Sequence, residues 1–431
     1  MRNLVGFLVL LLAIAAMPSI SGAQQSPAGA LALVGCRIYT SPTAEPIEDG
    51  VVIVKGGRIT EVDSGRSTNI PEGITTINCS GKVITAGFQN SHVHFTEDKW
   101  DKAAGQPASK LTEQLITMLV RYGFTTVVDT GSLLPNTVAL RRRIEAHEII
   151  GPRILTAGVP LYPPDGIPYY VKDGAPPDML KLLPQPSAPT EAVDFVWQNF
   201  SGGADIVKLF TGSWINKQTV LPMPIEVATA VVAEAHLQHK LVFSHPSNVA
   251  GLEVALRAHV DVLAHMVEDT QGFTAEHIRR MAAQKMALIP TLHLFAHDNN
   301  IEDIRREVRH YQQAGGQIVF GTDGGYSPEY DPTDEYVQMA RAGLTWRQIL
   351  ASLTTSPAMR FGENSSRGRI VKGMEADLIV LSGDPSADVR AFANVTAVIR
   401  GGRIIYQAND GRVPRTAIAK PTEFKFFVQS H

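Results

Sequence analysis

Three textures of apolar and polar positions follow one another along the chain. From 31 to 83, short apolar runs (31–39, 51–54, 58–62) are broken by Gly, Pro, Asp and Asn, with Lys55-Gly56-Gly57 as a hairpin turn signal. That is the chemistry of a β-meander. The same texture returns at 378–381, 395–400 and 403–406, the last two joined by Gly401-Gly402. Two β-rich ends around a different middle predict one small β-sandwich assembled from both termini.

The middle alternates. Strand-like runs at 83–86, 125–128, 153–157, 206–210, 241–243, 260–264, 287–290 and 318–320 are separated by amphipathic helical stretches, among them 111–122, 138–147, 225–236 and 301–313. Eight such runs predict an α/β fold with a closed parallel (β/α)8 barrel. An open doubly wound sheet is the alternative, but no Gly-x-Gly-x-x-Gly follows the first run. The expected organisation is 24–85 for the first part of the sandwich, 86–362 for the barrel, and 363–431 for the second part and a tail. With 431 residues, the chain has room for a barrel of about 250 residues and a smaller domain. The long proline-rich stretch 160–189 follows the third run, where active-site loops of barrels lie, and its Tyr162, Tyr169 and Tyr170 suit a pocket wall.

Residues 1–23 stand outside this pattern. Arg2, an apolar stretch from Val5 to Met17 and the small residues Ser21-Gly22-Ala23 read as a secretory signal peptide, so an exported (periplasmic or secreted) protein is expected. No later stretch is long and apolar enough for a membrane span. A net charge of −3 without charge runs gives no basic surface for nucleic acid, leaving a small molecule as the expected partner and homo-oligomerisation open. Cys36 and Cys79 are the only two cysteines: one bridge or two buried thiols, but no disulfide framework.

Candidate chemistry collects at the ends of the runs. His92 and His94 follow the first, and side chains two apart on an extended chain share a face, so one cation can take both imidazoles. Lys208 ends the fourth in an apolar context that penalises its charge. His245 ends the fifth, His265 the sixth and Asp323 the eighth. These six metal-competent residues fall at five run ends. Each alone has a bland explanation, as core histidine, snorkelling lysine or capping aspartate; their joint placement argues for a metal centre.

In these residues the chain resembles the amidohydrolase superfamily, and most closely its prolidase-like and imidazolonepropionase-like branches. The resemblance runs from about 31 to about 406. It includes Ala86-Gly87-Phe88 before the His-x-His, Gly123-Phe124-Thr125-Thr126-Val127-Val128-Asp129, Gly321-Thr322-Asp323, and Gly368-x-Ile370-x-x-Gly373-x-x-Ala376-Asp377-Leu378. It implies a binuclear hydrolase: His92, His94 and Asp323 on the buried metal, His245 and His265 on the exposed one, and an N-carboxylated Lys208 bridging both. The metals would be two divalent ions, with zinc favoured by imidazole and oxygen ligands. The implied mechanism is attack by a metal-bridging hydroxide, with Asp323 as catalytic acid and base.

The implied reaction is hydrolysis of a carbon–nitrogen bond in a non-peptide amide, an N-acyl amino acid or a dipeptide. Cyclic amides, lactones and phosphotriesters are alternatives served by the same centre. A heterocycle deaminase is disfavoured, because such relatives lack a lysine at the fourth strand. Where prolidase-like members often carry Gly-Gly-His, this chain has Pro163-Pro164-Asp165-Gly166, which weakens dipeptide specificity. Tyr162, Tyr169, Trp214, His293 and Tyr326 are the expected substrate-binding residues, with His297 nearby in sequence.

Overall fold

The computed structural model describes residues 29–408 except 66, 67 and 176. The expected signal peptide and most of the tail beyond Tyr406 lie outside the described residues. The fold is mixed α/β. Leu31–Ile38 pairs antiparallel with Ile47–Lys55, which pairs with Arg58–Ser64. The turn between those last two strands places Gly56 and Gly57 at φ +56° and +79°, a left-handed pair that glycine adopts without steric cost. The two ends of the chain meet in one eight-stranded sheet, where Val83–Ala86 runs antiparallel to Leu378–Leu381. Its core holds Leu33, Ile38, Val52, Leu378 and Ile399. Cys36 and Cys79 are free thiols, fully buried in that same core.

This placement corrects the expectation that 83–86 is the first parallel strand. Val83–Ala86 belongs to the eight-stranded sheet, where it also runs parallel to Leu31–Ile38, and the parallel strands of the middle begin with Phe88–Val93, one residue past Gly87. Gly87 passes so close to the second parallel strand that a Cβ would stand 2.3 Å from Thr125 Oγ1. Both neighbouring segments are buried throughout, so apolar pattern alone fused two strands into one.

Phe88–Val93 pairs in parallel with Phe124–Asp129, and that strand with Arg153–Thr156. A second parallel set orders Val207–Phe210, Val242–His245, Val262–Ala264 and Ala287–Ile289. Single parallel bridges link these sets: Leu161 to Leu209, Leu288 to Ile318, and Gly324 back to Val93. The eighth run thus joins its neighbours by isolated contacts rather than a full ladder. Val128, Ile206, Phe243, Val262, Ala287 and Val319 pack into one small cluster drawn from both sets. Each large apolar side chain buried this fully contributes about 1.5–3 kcal/mol. Among the described residues, no helix is long and apolar enough to cross a membrane. The 160–189 segment folds into short helices at Tyr169–Gly174 and Pro177–Leu180.

Candidate metal centre

The six residues at the run ends converge. His92 Nε2 and His94 Nε2 lie 3.0 and 2.8 Å from the same oxygen, Asp323 Oδ1. The His265 ring is 4.6 Å from that of His92 and 4.8 Å from that of His245. Lys208 and the four histidines all face one cavity. His92, His265 and Asp323 can offer ligand atoms within 4.8 Å of one another. Two of the six carry left-handed backbone, His265 at φ +82° and Asp323 at φ +54°. Non-glycine residues are held there at a cost of about 1–3 kcal/mol, which surrounding structure must offset. Gly321 makes the approach possible: a Cβ there would stand 2.8 Å from His92 Cβ and 2.4 Å from Ile289 Cγ2.

Charge is distributed unevenly in this cluster. Burial pushes His92 down to about 3 against the pull of Asp323. Burial, followed by the neighbouring His92, holds His265 well below the usual imidazole range. Burial would raise Asp323, but His92 and His94 outweigh it and keep the carboxylate ionised. Asp323 in turn overcomes the burial of His94 and raises it. Lys208, 2% exposed and without a hydrogen bond or ion pair from Nζ among the described residues, is pushed down to about 7 by burial. Imidazoles that burial keeps neutral at His92 and His265, a carboxylate and a partly neutral amine form a donor set for divalent cations. Three buried atoms here, His92 Nδ1, His245 Nε2 and Asp323 Oδ1, have no hydrogen-bond partner. The contacts of Asp323 with both histidines are close yet lack hydrogen-bond alignment. Buried polar groups are rarely left so, and a divalent cation fits the arrangement.

Neighbouring groups orient the rings. His94 Nδ1 donates to the Gly131 carbonyl at 2.7 Å, which leaves Nε2 for the cluster. The Gly131 turn is in turn held by buried Asp129, which accepts from Ser132 Oγ at 2.6 Å and Thr156 Oγ1 at 2.7 Å. His265 Nδ1 lies 2.5 Å from Thr291 Oγ1. His245 Nε2 faces Glu268 Oε1 at 3.0 Å, and Trp214 Nε1 donates to Glu268 Oε2 at 2.6 Å.

Of the expected substrate residues, Tyr162 and Tyr326 line the cavity. Trp214 contacts Glu268, and His293 is tied to Glu335 through its backbone N at 2.8 Å. Tyr169 packs edge-on against Tyr170, and it is Tyr170 that lines the cavity. His297 is exposed. Glu268 and Asp129 were not among the residues singled out as site candidates. A larger cavity of about 530 Å³, beside Arg153, Arg400 and the Gly56-Gly57 turn, holds none of the six.

Residues 83–405 match the model of the amidohydrolase family. Ochratoxinase of Aspergillus niger is 25% identical over 234 residues, covering 47% of this chain and 46% of that protein. The chain thus spans about half the length of the curated relatives it matches. A provisionally named prolidase of Bifidobacterium longum is 26% identical, with 89% of this chain and 96% of that one covered at a TM-score of 0.73. A Xaa-Pro dipeptidase is similar in fold, with 22% identity, 88% and 100% coverage and a TM-score of 0.74. The family match takes in all six converging residues, and with it the chain is placed as an enzyme of the amidohydrolase family.

Proposed function

We propose that this enzyme is a metal-dependent hydrolase of a carbon–nitrogen bond in an amide, working in a closed (β/α)8 barrel flanked by a β-sandwich from both chain ends. The convergence of Lys208 and four histidines on one cavity, with Asp323 against His92 and His94, carries the reading. His92, His94 and Asp323 would hold one divalent ion, His245 and His265 a second, and Lys208, carboxylated on Nζ, would join them; zinc suits these donors. Ions bound there supply Lewis acidity toward a carbonyl and a nucleophile at neutral pH. The protein's own residues do the rest. Asp323, kept ionised, accepts the proton of the attacking water and returns it to the leaving nitrogen, so amide and water become acid and amine. The Gly131 carbonyl holds the His94 ring in orientation, and Glu268 sets a carboxylate 3.0 Å from His245 Nε2.

A mononuclear reading has its own support, because His92, His265 and Asp323 are compact enough to hold one ion alone. Metal analysis of the purified enzyme separates the two: about two equivalents are expected, and one equivalent defeats the binuclear centre. Chelation should abolish amide hydrolysis and added zinc, manganese or cobalt restore it; catalysis indifferent to chelation removes the metal-dependent reading altogether. Export rests on the 1–23 segment, and N-terminal sequencing of the mature protein should begin near residue 24.

A further inference from the structure

The space in front of the ligand cluster is small and apolar. Its volume is about 150 Å³, whereas pockets for drug-sized ligands run to about 300–1,000 Å³. An apolar protein cavity of about 150 Å³ accommodates one benzene ring. Tyr162 stacks on Phe210 at 4.6 Å, Phe210 stacks on His245 at 4.7 Å, and Tyr170 meets Tyr326 edge-on at 5.7 Å. The 160–189 segment adds Pro160, Val171, Met179 and Leu183, and Leu133 and Val159 add to the apolar lining. Apart from Lys208 and the histidines of the ligand cluster, no cationic side chain lines the cavity among the described residues. A further anion, Glu268, stands 3.0 Å from His245. Burial raises the Tyr170 hydroxyl well above its usual range, and Glu268 raises it further. A buried carboxylate without a partner cation is costly.

We propose that the group this cavity takes from the substrate is a single apolar, uncharged ring or short branched chain, and that amides placing a carboxylate there are poor substrates. This rests on the hydrolase reading above and narrows it away from amides whose carboxylate must enter the cavity. Either side of the scissile amide can present the ring, so both are tested.

The metal-loaded enzyme is assayed on acetanilide against 4-acetamidobenzoate, and on N-methylbenzamide against 4-carboxy-N-methylbenzamide. In whichever pair is cleaved, the neutral member should show at least a tenfold higher kcat/KM. Because the carboxylate also adds bulk, Met179→Arg is run in parallel: a guanidinium in the wall should narrow that preference at least tenfold, which relief of a size limit would not do. Equal or better turnover of the carboxylate members, an unchanged preference in folded Met179→Arg, or no cleavage of either neutral amide overturns the proposal. Chelator-sensitive turnover that favours the carboxylates refutes this inference and leaves the metal-dependent reading standing. Neutral-selective turnover indifferent to chelation does the reverse.

Discussion

Replacing Lys208 by methionine removes a charge from a site that burial makes hostile to it. Burial depresses the amine from its ordinary value near 10.5 to about 7. At pH 7 the neutral fraction therefore rises from about 0.03% to about one half, and only neutral amine can react with carbon dioxide to give the carbamate. The same shift sets a sign for stability. Between pH 7 and 10.5 the unfolded chain holds a proton that the native metal-free protein does not, so stability rises with pH across that window. Below pH 7 the deficit is complete and amounts to about 5 kcal/mol. Lys208→Met should make the metal-free protein more stable at pH 6 by a few kcal/mol, on the order of that deficit, and remove this contribution to the slope above pH 7. Denaturant unfolding of chelator-treated wild type and variant, in bicarbonate-free buffer from pH 6 to 9, measures both quantities. In the wild type, bicarbonate should accelerate metal uptake; in the variant it should not. A variant no more stable at pH 6, with an unchanged slope, would show that Lys208 bears no buried-charge penalty. Metal uptake by wild type that ignores bicarbonate would refute the carbamate.

Asp323→Asn should keep the fold and most of the metal while turnover falls by about 10²–10⁴-fold, the usual worth of general acid–base catalysis; near-normal kcat would take Asp323 out of that role. Glu268→Gln keeps the shape beside His245 but removes the charge, so metal affinity should fall about 10–100-fold in competition with a chromogenic chelator. Trp214→Phe, which strips one hydrogen bond from Glu268, should move affinity the same way by less; an unchanged affinity in both variants would deny the contact any part in orienting His245.

What the sequence could not supply follows from the kind of information each residue carries. The strand ends were readable because apolar runs stop abruptly at His245, His265 and Asp323, and a coordinating side chain at the end of a buried strand has few innocent explanations. Val83–Ala86 and Phe88–Val93 belong to different sheets with different partners, yet both are wholly buried, and burial on both faces erases the alternation that would separate them. Tyr169 and Tyr170 are adjacent at the start of a short helix; one residue turns the side chain by about 100°, and only the packed fold decides which faces the cavity. Glu268 stands in an irregular segment three residues past His265, with no periodic pattern to mark it, and gains meaning only from Trp214 and His245 brought to it from other elements. Ligands announce themselves by their chemistry at a strand end; the groups that aim them are ordinary residues made functional by contact. The candidate cluster could therefore be written down before the fold was known, whereas the groups beside it could be found only by following each imidazole to its neighbours.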